Sequence, residues 1–489
     1  MQFGTIQKPG HLPGFCLAEN RKYILVAAVL ASSLGFIDGT VIAIALPAIR
    51  SGLGASLVEA QWINNGYLLP LGALILLGGA LGDRLGVARV FATGIAIFVA
   101  ASMICALAPN TPVMIGARVI QGFGAAMMVP GSLALIARAY PEAERGRAIG
   151  IWAAASALTT ALGPLLGGLA LSLGGPEMWR AIFAINLPFG ALALYLLLTR
   201  TTRDAGQAHR QLDLAGAFLI TGGLGLLAWG LTAAAEGHGA VRLAPTAIGA
   251  ALIAAFLAWE ARASDPMVPL GLFRDRTFAL SNLATGLIYF AFSTVIFFLP
   301  MTLIAGWRLD PFIASASFAP LSVFIPLLSA RAGRLADQIG PGPLITAGAA
   351  FMALGYVGLF LVMPTEDFWT RLLPVTCLLG VGMGLLVAPL STAIMASVPG
   401  EFTGTASGIN NAVGRIAGLV SVAIMGSLVG AVYLSAGGTA SFGALSDSAG
   451  HSAAMIAAFQ VLCGACAVIA ALAALLVWLF VPRRIRPDA

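Results

Sequence analysis

Fourteen apolar runs, each long enough to cross a bilayer as a helix, follow one another along this chain, most of them joined by short polar connections. Lipid offers no partner for a bare backbone amide, so a crossing segment of about 20 apolar residues folds as a helix that satisfies its own hydrogen bonds. The runs occupy residues 23–47, 59–79, 88–108, 111–137, 146–173, 178–199, 212–233, 244–261, 277–305, 311–329, 343–363, 371–397, 404–434 and 452–481. Only 9% of the residues are charged, against about 25% in a soluble domain, so lipid is the solvent for most of the chain. The period-two alternation of an outer-membrane barrel is absent. The fold class this predicts is an all-α polytopic membrane protein.

An internal repeat divides the runs. Gly79, Leu81, Asp83 and Gly86, just after the second run, recur as Gly333, Leu335, Asp337 and Gly340 after the tenth. A glycine-bounded acidic turn lets neighbouring helices approach closely and slide. Its two copies stand at matching places if a second six-helix bundle begins at the ninth run. The division predicted is an N-terminal tail at 1–22, a six-helix bundle at 23–200, an inserted two-helix linker with its loops at 201–276, a second bundle at 277–481 and a basic tail at 482–489.

The 26 lysines and arginines test that division. Arg50, Arg180, Arg242, Arg308 and Arg371 fall on one side, Arg118 and Arg415 inside runs, and all the others in the tails and the alternate connections. By the positive-inside rule both termini are cytoplasmic. The net charge of +6 then faces anionic membrane lipid, and it is no signature of a nucleic-acid partner. The first run lacks a prompt small-residue cleavage site and reads as a retained span.

Several chemistries lack their reagents. The only lysines, Lys8 and Lys22, cannot complete a phosphate-binding G-x-x-x-x-G-K-[ST] loop. His11, His209, His238 and His451 lie outside the runs, which leaves no intramembrane metal cluster or histidine relay. Cys463 and Cys466 form a C-x-x-C, but in an apolar run with no histidine nearby. No catalytic set, metal or cofactor is expected, and transport driven by an ion gradient survives the elimination.

Intramembrane charge points to the site. Asp38 is the one acid well inside a run, and holding its charge at the bilayer centre costs at least about 3 kcal/mol without a proton, partner or water. It lies roughly 13 Å from the end of the first run, and Arg118 roughly 10 Å into the fourth from the same side, at 1.5 Å rise per residue. The two therefore share a depth. Burial raises the pKa of such a carboxyl and a nearby cation lowers it, which suits an acid that carries a coupling proton. A static Asp–Arg or Asp–backbone bond that locks helices fits the same residues.

A resemblance now carries weight. FIDGTVIAIALP around Asp38 and the repeated turn, in the first copy GGALGDRLGVARV with Arg84 and Arg89, resemble signatures of the fourteen-span drug:proton antiporter family of the major facilitator superfamily. The family's basic pair after the last turn glycine is replaced here by Val87 and Ala88, with Arg89 one step late. RVIQGFGAA resembles the family's fourth-span motif, with Arg118, Gln121, Gly122 and Gly124 in place. The resemblance implies an Arg118 that helps proton transfer; an arginine bound to carbonyls, with the two glycines as packing notches, is the other reading. LTTALGPLLGGLA resembles the antiporter motif through Gly163, Pro164, Gly167 and Gly168, with Thr159 in place of its first glycine. There a proline kink and small-residue packing are equally compatible. QWINNGYLL, WRAIFAINLPFG and INNAVGRIAG extend the resemblance through the second, sixth and thirteenth runs.

The resemblance implies a major facilitator fold of two six-helix bundles plus two inserted helices, in a bacterial-type cytoplasmic (inner) membrane, with a monomer as the default. It implies a proton-coupled efflux antiporter that exports lipophilic or cationic small molecules by alternating access; a transporter of a specific metabolite or lipid is the alternative. The partners are then protons, membrane lipids and a lipophilic substrate. Asn64, Tyr67, Gln121, Trp152, Asn282, Tyr289, Asn410 and Arg415 are the polar or aromatic candidates for the cavity wall, with Met127 and Met128 as adaptable surface. A structural Arg415 fits the sequence as well as a functional one. Asp213 and Glu260, at the ends of the inserted runs, read as solvated, and the inserted pair itself has no role legible here.

Overall fold

The computed structural model describes residues 20–201, 212–233, 243–448 and 450–481. Among them fourteen helices are long and apolar enough to cross a membrane: α1 Arg21–Leu53, α2 Leu57–Leu85, α3 Val87–Ala106, α4 Thr111–Ala139, α5 Glu142–Gly174, α6 Pro176–Arg200, α7 Leu214–Ala233, α8 Leu243–Glu260, α9 Arg276–Gly306, α10 Pro311–Ile339, α11 Pro341–Thr365, α12 Phe368–Ala396, α13 Gly400–Ser435 and α14 His451–Phe480. The chain is an integral membrane protein. Nearly all of both tails, and Arg203, Arg210, Arg242, His209 and His238, lie outside the described residues.

The repeated turn has the same backbone in both copies. Gly86 has φ 100° and Gly340 φ 85°, and their N–H groups close α2 and α10 on the carbonyls of Gly82 and Ala336 at 2.9 and 2.8 Å. The next helix starts at the following residue each time, at Val87 and at Pro341. Positive φ is open to glycine and strained for other residues, which is why this position is glycine in both copies. The end of the molecule holding both glycines is called the turn end below, and the opposite one the far end.

Small residues bring the helix backbones together. An added Cβ at Gly122 would stand 2.5 Å from the Tyr67 carbonyl oxygen, and one at Gly124 2.7 Å from the Phe98 nitrogen, so α4 is wedged against α2 and α3. In the second bundle Gly382 of α12 meets the Gly348 carbonyl of α11 at 2.7 Å in the same sense. With no water to expel in lipid, close dispersion contact of this kind holds helices together.

The inserted pair has a definite place. Ile220, Leu224 and Ala228 of α7 pack with Leu69 and Ala73 of α2 and with Leu419 and Ala423 of α13. Trp62 donates to the Thr232 hydroxyl at 3.2 Å, and Ser427 donates to the Leu231 carbonyl at 2.7 Å. Thus α7 covers a seam between one helix of each bundle. One sequence expectation is corrected here: Glu260 is only 3% exposed. The connection after α8 folds back over it, and the Val268 N–H donates to Glu260 Oε2 at 3.0 Å. Asp213 takes N–H bonds from Gly216 and the Trp259 indole, at 2.8 and 2.9 Å.

Candidate functional site

Asp38 and Arg118, expected at one depth, are in contact. Arg118 Nη1 donates to Asp38 Oδ2 at 2.6 Å, with 0% and 3% of the two side chains exposed. Gln121, one turn along α4 from Arg118, donates through Nε2 to Asp38 Oδ1 at 3.0 Å and accepts from Arg118 Nη1 at 2.7 Å. Arg118 Nε reaches the Ile63 carbonyl at 3.0 Å, and the guanidinium carbon lies 4.4 Å from the Tyr67 ring centre. Three helices are therefore tied by one buried charge pair. Removing one partner of such a pair costs about 3–5 kcal/mol, because the other charge is left in low dielectric. Protonating Asp38 cancels the negative charge while keeping its oxygens in place as hydrogen-bonding groups.

A cavity of about 570 Å³ opens beside this cluster. Its wall comes from α1, α2, α3, α4, α5 and α13, with Phe36, Tyr67, Met127, Met128, Trp152 and Arg415 among the lining residues and Asp83 and Glu401 at its mouth. Trp152 is fixed there by its indole N–H, which donates to the Ser32 hydroxyl at 2.9 Å. Tyr67 belongs to both features: it lines the cavity and stacks on Arg118. Asp38, Arg118 and Gln121 do not line the cavity; they sit one side chain behind it.

Of the other cavity candidates, Tyr67, Trp152 and Arg415 are at the wall, whereas Asn64, Asn282, Tyr289 and Asn410 are not. Hydrogen bonds within and between helices explain this for the asparagines. Asn64 donates to Asn65 at 3.3 Å, Asn282 to the Phe278 carbonyl at 2.9 Å, and Asn410 accepts from Thr285 at 2.7 Å, bracing α13 to α9. Tyr289 packs on Gly414. Asn410 and Asn411 are neighbours about 100° apart on a helix, so Asn411 faces the cavity instead. Glu401 was missed because it lies in the tight first turn of α13, in a stretch that reads from sequence as the connection between the twelfth and thirteenth runs.

The two ends of the molecule differ. At the far end Arg50 of α1 donates to the Phe442 carbonyl and, at 3.0 Å, to the Ser441 hydroxyl, both in the connection between α13 and α14. Ser172 of α5 donates to Asp310, just before α10, at 2.8 Å. Gly168 faces the Ser315 hydroxyl across the same seam, while Gly163 and Gly167 press on Thr40 and Val41 of α1. Pro164, within α5, lies between these contacts. Both bundles are thus joined at the far end. At the turn end Asp83 pairs with Arg138 of α4 at 3.5 Å, inside one bundle. Arg84, Arg89 and Asp337 are exposed, and Asp337 makes no ion pair among the described residues. Gly79, Asp83 and Gly82 border the cavity mouth, whereas Gly333 packs near Ala388 of its own bundle. The cavity accordingly opens at the turn end.

Comparison with known proteins agrees with this architecture. A multidrug resistance protein, Stp, of Mycobacterium tuberculosis is 33% identical over 415 residues, covering 84% of this chain and 76% of that protein. A methylenomycin A resistance protein of Bacillus subtilis is 32% identical over 461 residues, 94% of each. A puromycin resistance protein of Streptomyces alboniger is 34% identical over 472 residues, covering 94% of this chain and 91% of the relative. Among solved structures, a bacterial homologue of the human lysosomal transporter Spinster, inward-facing and unoccupied, superposes with a TM-score of 0.67 at 20% identity, over 98% of this chain and 100% of the other. The inward-open xylose transporter of E. coli gives 0.62 at 16% identity, over 94% and 96%. The sequence model of the Major Facilitator Superfamily matches residues 28–422, and with fourteen crossing helices and this two-bundle packing the chain belongs to that superfamily.

Proposed function

We propose that this protein is a proton-coupled antiporter that exports lipophilic small molecules across a bacterial cytoplasmic membrane by alternating access. The observation that carries the reading is a central cavity open at one end and closed at the other by contacts between the bundles, with a buried carboxyl one side chain behind its wall. Relatives named for drug resistance or export supply the direction and the kind of cargo. The bias of basic residues assigns the turn end to the cytoplasm, so the cavity faces the compartment from which cargo is collected.

In the proposed cycle the two bundles, 23–200 and 277–481, rock about the seam that α7 covers. Asp38 is ionised against Arg118 while the cavity faces inward. A proton arriving when the far end opens neutralises Asp38, loosens the tie between α1 and α4, and is released inward on return. The glycine turns at Gly86 and Gly340 let the loops slide during this motion. One proton crossing at 100 mV supplies about 2.3 kcal/mol, enough to concentrate a solute tens of times.

Asp38→Asn tests this, because asparagine mimics the protonated carboxyl in shape and hydrogen bonding but cannot release a proton. In everted vesicles with an imposed pH gradient, adding puromycin or a panel of lipophilic dyes should collapse the gradient with the wild type and leave it intact with the variant. Wild-type-like collapse with Asp38→Asn refutes the carrier role.

A further inference from the structure

We infer that Arg415 is the charged ligand-binding group of the central cavity, and that it selects amphiphilic cargo bearing an acidic group, a carboxylate, sulfonate or phenolate on an apolar ring system. This rests on the export reading and names its substrate class. Three arginines lie in the apolar helices at depth or buried at their ends, and two have partners built for them. Arg118 is matched by Asp38, Gln121 and the Ile63 carbonyl, and Arg50 by Ala55, Ser441 and Phe442. Arg415 lines the cavity and makes no hydrogen bond or ion pair among the described residues. Its backbone is pinned, since a Cβ added at Gly72 of α2 would meet the Arg415 Cβ at 3.1 Å. A cation held at this depth in a membrane protein calls for water or an anionic partner, and the cavity is where that partner can come from.

The acids of the wall do not supply it. Glu401 precedes Arg415 by fourteen positions on α13, about 20 Å at helical rise, and with Asp83 it marks the watery mouth. There salt screens a charge over about 8 Å. Asp38 is held by Arg118 behind Tyr67. The charge presented to cargo deep in the cavity is therefore positive, that of Arg415. Phe36, Met127, Met128 and Trp152 provide the apolar and polarisable surface for rings, and a guanidinium fork matches the paired oxygens of a carboxylate or sulfonate.

The test uses two fluorescent probes that differ by one group, anilinonaphthalene sulfonate and its uncharged parent phenylnaphthylamine. Binding to the purified protein in nanodiscs is compared with gradient-driven uptake into everted vesicles. For the wild type the sulfonate should bind more tightly than the parent. Arg415→Gln should lower the ratio of the two affinities about tenfold or more, and Arg415→Lys should restore most of it. A ratio unchanged in Arg415→Gln, or a wild type that prefers the parent, overturns the inference. Equal losses for both probes mean a structural arginine and overturn it too. Export is read separately: movement of the parent without charge discrimination leaves the export reading standing and removes this one. Absence of gradient-driven movement of either probe by a wild type that binds both removes the export reading and leaves the binding site.

Discussion

Arg50 is the contact that most directly holds the far end shut, and its removal has a calculable effect. Its guanidinium is buried, and two of its bonds cross between bundles, to the Phe442 carbonyl and the Ser441 hydroxyl, while the third stays within α1 and its following turn at Ala55. A hydrogen bond to a charged group contributes about 1.5–3 kcal/mol, so the two crossing bonds give about 3–6 kcal/mol in the closed state. Opening returns the guanidinium to water and recovers roughly half of that, which leaves about 1.5–3 kcal/mol favouring closure. Arg50→Ala should therefore raise the far-end-open population about 12- to 150-fold. The readout is the labelling rate of a single cysteine at Ser315, on the seam facing Gly168, by a membrane-impermeant maleimide in a cysteine-free background. Arg180→Ala is the control, because Arg180 sits at the same end but bonds the Ala106 and Ala108 carbonyls inside one bundle. A change below threefold in Arg50→Ala, or an equal rise in Arg180→Ala, would show that the latch assignment is wrong.

The remaining predictions concern packing and the inserted pair. Gly86→Ala and Gly340→Ala should each lower stability by about 1–3 kcal/mol, since both need positive φ; thermal unfolding in detergent checks this, and two unchanged midpoints would contradict it. Gly122→Ala should cost about 1–3 kcal/mol by pushing α4 off the Tyr67 carbonyl, with a parallel loss of transport; a fully active, equally stable variant would refute the close-approach account. Glu260→Ala should expose the connection after α8 to protease at Val268 by removing its hydrogen-bond acceptor, whereas Glu260→Gln should retain protection; equal cleavage of both would show that the acceptor does not matter.

Much of this fold was legible because lipid leaves few options. Apolar run length anticipated the fourteen crossing helices, and the two copies of the glycine turn share one backbone geometry. Depth arithmetic along two helices placed Asp38 and Arg118 at one level, which their contact needs but does not follow from. Rotation about each helix axis was not legible, because in an apolar helix the moment is too weak to say which side faces a cavity. That is why Asn410 was named for the wall and Asn411 was the residue found there. Partners far apart in sequence were equally hidden: Asp83 pairs with Arg138 on α4 and not with the adjacent Arg84, and Arg50 reaches a connection nearly four hundred residues later. Glu260 looked solvated because its cover, a folded-back connection, leaves no trace in composition.

The cargo proposed for Arg415, exchanged for a proton, has an electrical consequence. An anion leaving the cell and a proton entering it move current in the same direction, so their charges add across the membrane rather than cancel. With such a cargo each turnover draws on the resting voltage twice, at about 2.3 kcal/mol per charge per 100 mV. Export would then persist in an alkaline medium, where the proton gradient itself is weak or reversed, and would fail when the voltage alone is short-circuited.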